Sequence, residues 1–149
     1  MISIRKKNSG FTIIELLIVI IVIGILATLV IVTYNGIQQK ARNTERKTDI
    51  NAIQGQIEAY FAQNAKYPTL DNLNNVNSWR AENLKGLDAA ALQDPSGTTQ
   101  TLVTGNGDSS HYGYTVTPEG CNNTSTDCTG YTLRANLEGG DNYTKTALN

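Results

Sequence analysis

Glu15 is the one charged side chain between Phe11 and Tyr34, a run of 24 residues reading FTIIELLIVIIVIGILATLVIVTY. A carboxylate within such a run costs about 2.5–3.5 kcal/mol at the centre of a bilayer on insertion scales, and less near an end, so its presence marks a function. Just before the run, Gly10 stands where a basic stretch with Arg5, Lys6 and Lys7 gives way to apolar residues. The other residues with chemistry to offer lie far downstream. Cys121 and Cys128, in a segment rich in Thr, Asn and Gly, suit a disulfide made outside the reducing cytoplasm. With His111 as the single histidine, two cysteines do not make the usual four-ligand zinc site from one chain, and no metal or cofactor is expected. Glu138, Asp141 and Asp127 offer oxygen ligands for calcium, but without an Asp-rich loop spacing they read as solvated turn residues.

The element that carries Glu15 must be a membrane-spanning helix. At ~1.5 Å per residue the run is roughly 36 Å long, against about 30 Å of hydrocarbon. Arg5, Lys6 and Lys7 place the N-terminus in the cytoplasm and everything after Tyr34 outside. A secretory signal peptide has an h-region of about 7–15 residues and an A-x-A-like site, and neither fits here. A plain signal anchor fits the length but leaves Glu15 and Gly10 without a role. Gly24 and Thr28, with Ala27 between, form a small-residue face of the kind that lets helices approach closely in lipid, although small residues are also simply common in spanning helices.

Gly10-Phe11-Thr12-Ile13-Ile14-Glu15, after a short basic leader and before an unbroken apolar stretch, resembles the cleavage and assembly motif of type IV pilins and pseudopilins, that is, a prepilin with a class III leader. The resemblance covers about 25 residues, with charge, cleavage residue, aromatic, acid and span all in order. It implies that a prepilin peptidase cuts between Gly10 and Phe11 and methylates the new N-terminus, so that Phe11 becomes N-methylphenylalanine and the helix is kept. The new amino group would then lie in the same apolar layer as Glu15. At ~4 Å and an effective dielectric near 20 the two would gain about 4 kcal/mol before desolvation is subtracted. Pairing within one helix is open geometrically, since Glu15 follows Phe11 by four residues; the family favours pairing with a neighbouring subunit, which sets the axial stagger. Val32 stands where many family members carry a proline, which removes the usual reason for a break in the helix.

After Tyr34 the helical period continues. Ile37, Ala41, Ile50, Ile53, Ile57 and Tyr60 or Phe61 recur at three, four or multiples of these, with Lys40, Arg42, Arg46 and Lys47 between them, and no proline appears until Pro68. One helix from Phe11 to about Ala62 is expected, with Gly55 as a tolerated glycine. Residues 64–97 read as a loop with one or two short helices, Trp79 packing on the long helix, and a turn at Asp94-Pro95-Ser96-Gly97. From 98 onward the pattern is β. Tyr112, Tyr114 and Val116 alternate with small or polar residues, as do Tyr131, Leu133, Ala135 and Leu137. A strand near Thr98–Thr104 is expected to join through Asn106-Gly107, and an edge strand near Asn142–Ala147 through Gly139-Gly140. The expected fold class is α+β and pilin-like: leader 1–10, membrane or filament-core half 11–34, amphipathic half 35–63, connecting loop 64–97, and an antiparallel sheet head 98–149.

Composition excludes more than it names. The chain carries 12 basic and 13 acidic side chains; three of the basic ones fall in the first ten residues, so the remainder holds 9 against 13, a net of −4. An acidic body argues against broad phosphate binding, and nucleic acid is not an expected partner. No GxSxG, HExxH, Walker or EF-hand pattern occurs, and no catalytic residue is assigned. What the resemblance implies is a structural subunit of a type IV pilus, foremost its major pilin, made as a single-pass precursor in the cytoplasmic membrane and moved into an extracellular filament. Its partners would be its own copies, the prepilin peptidase, the assembly machinery in the membrane and minor pilins. The alternatives are a pseudopilin of a type II secretion system and a DNA-uptake pilin.

The cut is directly testable. Gly10→Leu places bulk where a peptidase must approach the backbone, so the variant is expected to stay at full precursor length in membranes, while the wild type yields N-methylated Phe11 by mass spectrometry.

Overall fold

The computed structural model describes residues 10–75 and 78–149; Arg5, Lys6 and Lys7, on which the leader and topology expectations rest, lie outside them. The chain divides into two compact units, up to Gln38 and from Gln39 to Asn149. Helix α1, Ile13–Asn64, begins in the first and ends in the second. Its first turn is held by a reciprocal cap between Thr12 and Glu15. At the other end the backbone turns left-handed at Ala65, whose N–H donates to Phe61 O at 2.7 Å, and Tyr67-Pro68 carries the chain away.

In the first unit every residue from Phe11 to Ile37 is exposed, including nineteen large apolar side chains. Among the described residues this is the one helix long and apolar enough to cross a membrane.

In the second unit α1 buries the row Ile50, Ile53, Ile57 and Tyr60, spaced three and four apart as one helix face requires. The residue one turn before Ile50 on that row is Arg46, and it is buried too, at 2% exposure. The sequence reading set Arg46 among charges lying between the apolar positions and put Ile37 and Ala41 on the buried row; the structure reverses both. Two short helices follow, α2 at Leu70–Asn74, opened by a Thr69–Asn72 capping box, and α3 at Trp79–Asn83. Trp79 packs on Tyr60 of α1, ring centroids 5.0 Å apart. A 3-10 turn, Ala89–Leu92, is capped by Asp88.

The sheet has strands β1 (Val103–Thr104), β2 (Gly113–Thr117), β3 (Gly130–Asn136) and β4 (Asn142–Thr146) in that spatial order. Tyr112, Tyr114, Tyr131, Leu133 and Ala135 are buried against the isoleucine row. Tyr67 links the layers, stacking on Phe61 at 4.4 Å and meeting Tyr131 edge-on at 4.8 Å. The class is α+β, but the sheet is mixed. β2, β3 and β4 are antiparallel, with Gly139 and Gly140 turning between the last two at positive φ, whereas β1 runs parallel to β2. Asn106-Gly107 therefore does not close a hairpin. The chain reverses there and again at Asp108–His111, where Asp108 N–H donates to His111 O, and two reversals restore the original direction. Gly113 permits this: a Cβ there would lie 2.2 Å from Gly105 O. The early strand is also two residues long, not seven, because Arg80 and Asn74 take the backbone groups of Gln100 and Leu102 that a ladder would have used.

The buried Arg46 finds its counter-charge in Asp94, at 1% exposure, through two parallel bonds of 2.7 and 2.9 Å. Asp94→Ala is expected to lower the urea unfolding free energy of the full chain in detergent by about 3–5 kcal/mol, the cost of stranding a buried charge, whereas Arg46→Met with Asp94→Leu should be near neutral.

Candidate functional site

The N-terminus of α1 brings Gly10, Phe11, Thr12 and Glu15 together. Gly10 is exposed, with open space where a side chain would stand, and Phe11 is 91% exposed. Glu15 Oε2 accepts from the Thr12 N–H at 2.8 Å and from Thr12 Oγ1 at 2.7 Å, while the Glu15 N–H donates to Thr12 Oγ1 at 3.3 Å. One carboxylate oxygen is thus spent on capping its own helix. The other, Oε1, accepts no bond among the described residues, and it is the atom free to meet a cation from elsewhere. In the uncut chain, where Phe11 nitrogen is a peptide amide, the local partner is Thr12, and Thr12 went unassigned in the sequence reading. Its signal was present: Thr-x-x-Glu ahead of an apolar run is the capping-box spacing.

Gly24 and Thr28 lie on the exposed part of α1, and nothing approaches within 4 Å of where a Gly24 Cβ would be. Thr28 Oγ1 donates to Ile25 O at 2.8 Å, so its hydroxyl is satisfied within the helix and the face is apolar in effect.

Cys121 and Cys128 form a disulfide, with Cα atoms 5.3 Å apart. The loop it closes is fastened to the turn after α1. Tyr67 N–H donates to Cys128 O at 2.8 Å, and Asn123 Nδ2 donates to Tyr67 O at 2.7 Å. Asn123 sits at φ 61°, a conformation asparagine tolerates, and its Oδ1 accepts from Cys128 N–H at 2.9 Å.

Glu138 is drawn into the Arg46 clamp. It pairs with Arg42 through both oxygens and with Arg46 Nη1 at 3.2 Å, while Arg46 Nη2 also donates to Ser96 Oγ at 2.9 Å. Asn43 closes the arrangement by donating to Glu138 O at 2.9 Å and accepting from Glu138 N–H at 2.8 Å. The three-acid calcium grouping is not assembled: Glu138 already faces two guanidinium groups, and Asp127 pairs with Lys66 at 3.4 Å. The bonds from Arg42 first, and those from Arg46 after them, hold the Glu138 carboxyl at about 2, below its ordinary 4.5. Asp49 is pushed the other way, to about 6, by burial and by the nearby Glu45, Asp94 and Asp88, against the Tyr112 hydroxyl that donates to it at 2.7 Å.

Comparison with known proteins meets the N-terminal geometry. Residues 5–31 match the family model for the prokaryotic N-terminal methylation motif. The chain is 34% identical over 67 residues to the type II secretion system core protein G of Dickeya chrysanthemi, a stretch that is 45% of this chain and 44% of that protein. To the protein of the same name in Aeromonas hydrophila it is 36% identical over 67 residues, 45% and 47% of the two chains. To the type IV major pilin protein PilA of Myxococcus xanthus it is 35% identical over 68 residues, 46% of this chain and 31% of that one. The match thus spans less than half the length of each of these relatives. No solved structure matches. The apolar helix and the methylation motif together are those of a membrane-anchored precursor.

The two shifted carboxyls predict opposite pH dependences. Glu138, lowered when folded, stabilises above pH 4.5, and that contribution is lost as pH falls toward about 2. Asp49, raised when folded, keeps its proton where the unfolded chain has released it, so its contribution declines as pH rises from 3.8 to about 6. Asp49→Asn should remove the decline in that window and be more stable than wild type at pH 7, while Glu138→Gln should flatten the loss below pH 4.5; urea unfolding across pH reads both.

Proposed function

We propose that this chain is a structural fibre subunit of the type IV pilin and pseudopilin family, of the secretion-pseudopilin kind. Residues 1–10 are a leader removed after Gly10, Phe11 is the methylated N-terminus, and the run to Tyr34 first anchors the precursor and then packs against copies of itself. The observation that carries the reading is Glu15: an acid in the otherwise apolar first half of α1, which no described residue covers, with one oxygen capping the helix and the other open.

Sequence reasoning placed the major subunit of a pilus first and the secretion pseudopilin second. The core protein G relatives favour the reverse order, and the M. xanthus pilin keeps the pilus subunit as the second reading. The small head, with its clamp and single disulfide, serves either role. Its task is mechanical, and no catalytic step is assigned to it.

The steps follow from charge and hydrophobicity. Before cutting, Phe11 nitrogen is a peptide amide and Glu15 has no cation to meet. Cutting after Gly10 creates an amino group that the membrane holds in the same layer as the carboxylates of neighbouring copies. Pairing relieves two desolvated charges at once, and it has one register, which sets each new helix a fixed step from the last. Gly24 and Thr28 let the helices close together.

Glu15→Ala should insert and be cut normally, because the leader and Gly10 remain, yet assemble poorly. In the source cells the variant is expected to accumulate as processed monomer, with exported proteins retained behind the outer barrier and pili unaffected. Normal export together with loss of pili would assign the chain to the pilus instead; normal fibres from Glu15→Ala would remove the intersubunit role of Glu15.

A further inference from the structure

Six of the charges of the second unit that lack an ion-pair partner among the described residues form two groups on opposite flanks of α1. On one side stand Lys40 and Lys47, seven residues apart and so on one face, joined by Lys145 of β4. Lys47 and Lys145 gather over the Tyr143 ring, with Nζ atoms 5.8 and 5.5 Å from its centroid, and Tyr143 OH is tied to Asn51 of α1 at 3.0 Å. On the other side stand Glu45 and Asp49, one turn apart, with Asp88 at the cap of the 3-10 turn. At 100° per residue Lys47 points about 160° away from both Glu45 and Asp49. Among the described residues, none of these six side chains has an ion-pair partner, while Arg42, Arg46, Asp94 and Glu138 neutralise one another between the flanks. The acids crowd: Glu45 and Asp88 both oppose ionisation of Asp49, whose one bond is from the Tyr112 hydroxyl.

We propose that the two flanks are the halves of one contact between copies of this chain, Lys40, Lys47 and Lys145 of one copy set against Glu45, Asp49 and Asp88 of the next. The proposal rests on the fibre reading and adds to it a lateral interface in the head. A second copy is the occupant because one chain carries both complementary halves, two charges of each sign on one stretch of α1 with Lys145 of β4 and Asp88 of the 3-10 cap completing them. A contact between unlike patches is head-to-tail, and wherever its rotation does not close into a ring it repeats into an open helical array, which is the symmetry a fibre needs. Nucleic acid is the poorer occupant: Lys40 and Lys47 line a depression shared with Glu138, and three lysines on a body of net −4 offer little counterion release.

Charge reversal with rescue tests this in cells producing the full chain. Lys47→Glu with Lys145→Glu, or Glu45→Lys with Asp88→Lys, sets like charges face to face and is expected to reduce sheared fibre about tenfold or more. All four substitutions on one chain restore opposite signs and should return fibre to near the wild-type amount, a result that misfolding cannot produce. Proximity is read separately. The native cysteines are joined, so Lys47→Cys and Glu45→Cys introduce the only free thiols. Co-expressed, the two variants should give a dimer with a short bis-maleimide, and neither alone should do so. Fibre unaffected by either pair of reversals, or no rescue by the combination, overturns the interface while leaving the fibre reading intact. A wild-type chain that makes no fibre overturns both.

Discussion

The apolar half of α1 has no cover among the described residues of its own chain, and the rest of the molecule is arranged around that fact. Nineteen large apolar side chains from Phe11 to Ile37 lie open, and at ~1.5–3 kcal/mol for each one fully buried the driving force to cover them is on the order of tens of kcal/mol. No soluble monomer sustains such a surface. It is satisfied first by lipid and then, in the proposed fibre, by other copies of the same surface. Because lipid and neighbouring helices are equally apolar, hydrophobicity cannot choose between them. The choice falls to a polar term, and in the apolar half of the helix Glu15 is the one charged side chain available to provide it.

The head solves a different problem. It folds on the second half of α1 with its own core of isoleucines and tyrosines, and a mixed sheet completes it. At the bottom of the isoleucine row, where another apolar residue would fit the pattern, stands Arg46. Its pairing with Asp94 fixes the Asp94–Gly97 turn, and its reach to Glu138 fixes the start of the β3–β4 turn, so one side chain ties three segments that are distant in sequence. A buried pair of this kind adds little net stability against an apolar alternative, but it punishes every arrangement in which the partners miss each other. The disulfide loop does comparable work at the other end, holding Tyr67 and the exit from the helix.

Elements with strong local periodicity were legible in the sequence. The length and polarity of α1, the isoleucine face, the inward tyrosines of β2 and β3, the glycine turn between β3 and β4, and the cysteine pair all follow from residue types at short spacing. What was not legible depended on partners far apart. Arg46 looks like any helical surface charge until Asp94, 48 residues later, arrives to meet it. The parallel pairing of β1 with β2 hangs on a second reversal at Asp108–His111, which the stronger Asn106-Gly107 turn signal concealed. At the candidate site, Gly10, Phe11 and Glu15 stood out by charge against grease. Thr12 did not, because attention to the carboxylate as an ion hid the simpler capping spacing in which it also takes part.

The central claim is that Glu15 serves a neighbouring copy, and the position of its carboxylate within an assembled fibre tests it most directly. Electron cryomicroscopy of fibres from wild-type cells, at a resolution that shows side chains, should place the Glu15 carboxylate within about 4 Å of the N-methylated Phe11 nitrogen of an adjacent subunit, inside a core made of the Phe11–Tyr34 helices. A map in which Glu15 contacts only Thr12 and Phe11 of its own chain, or in which that helix lies outside the core, would contradict the account.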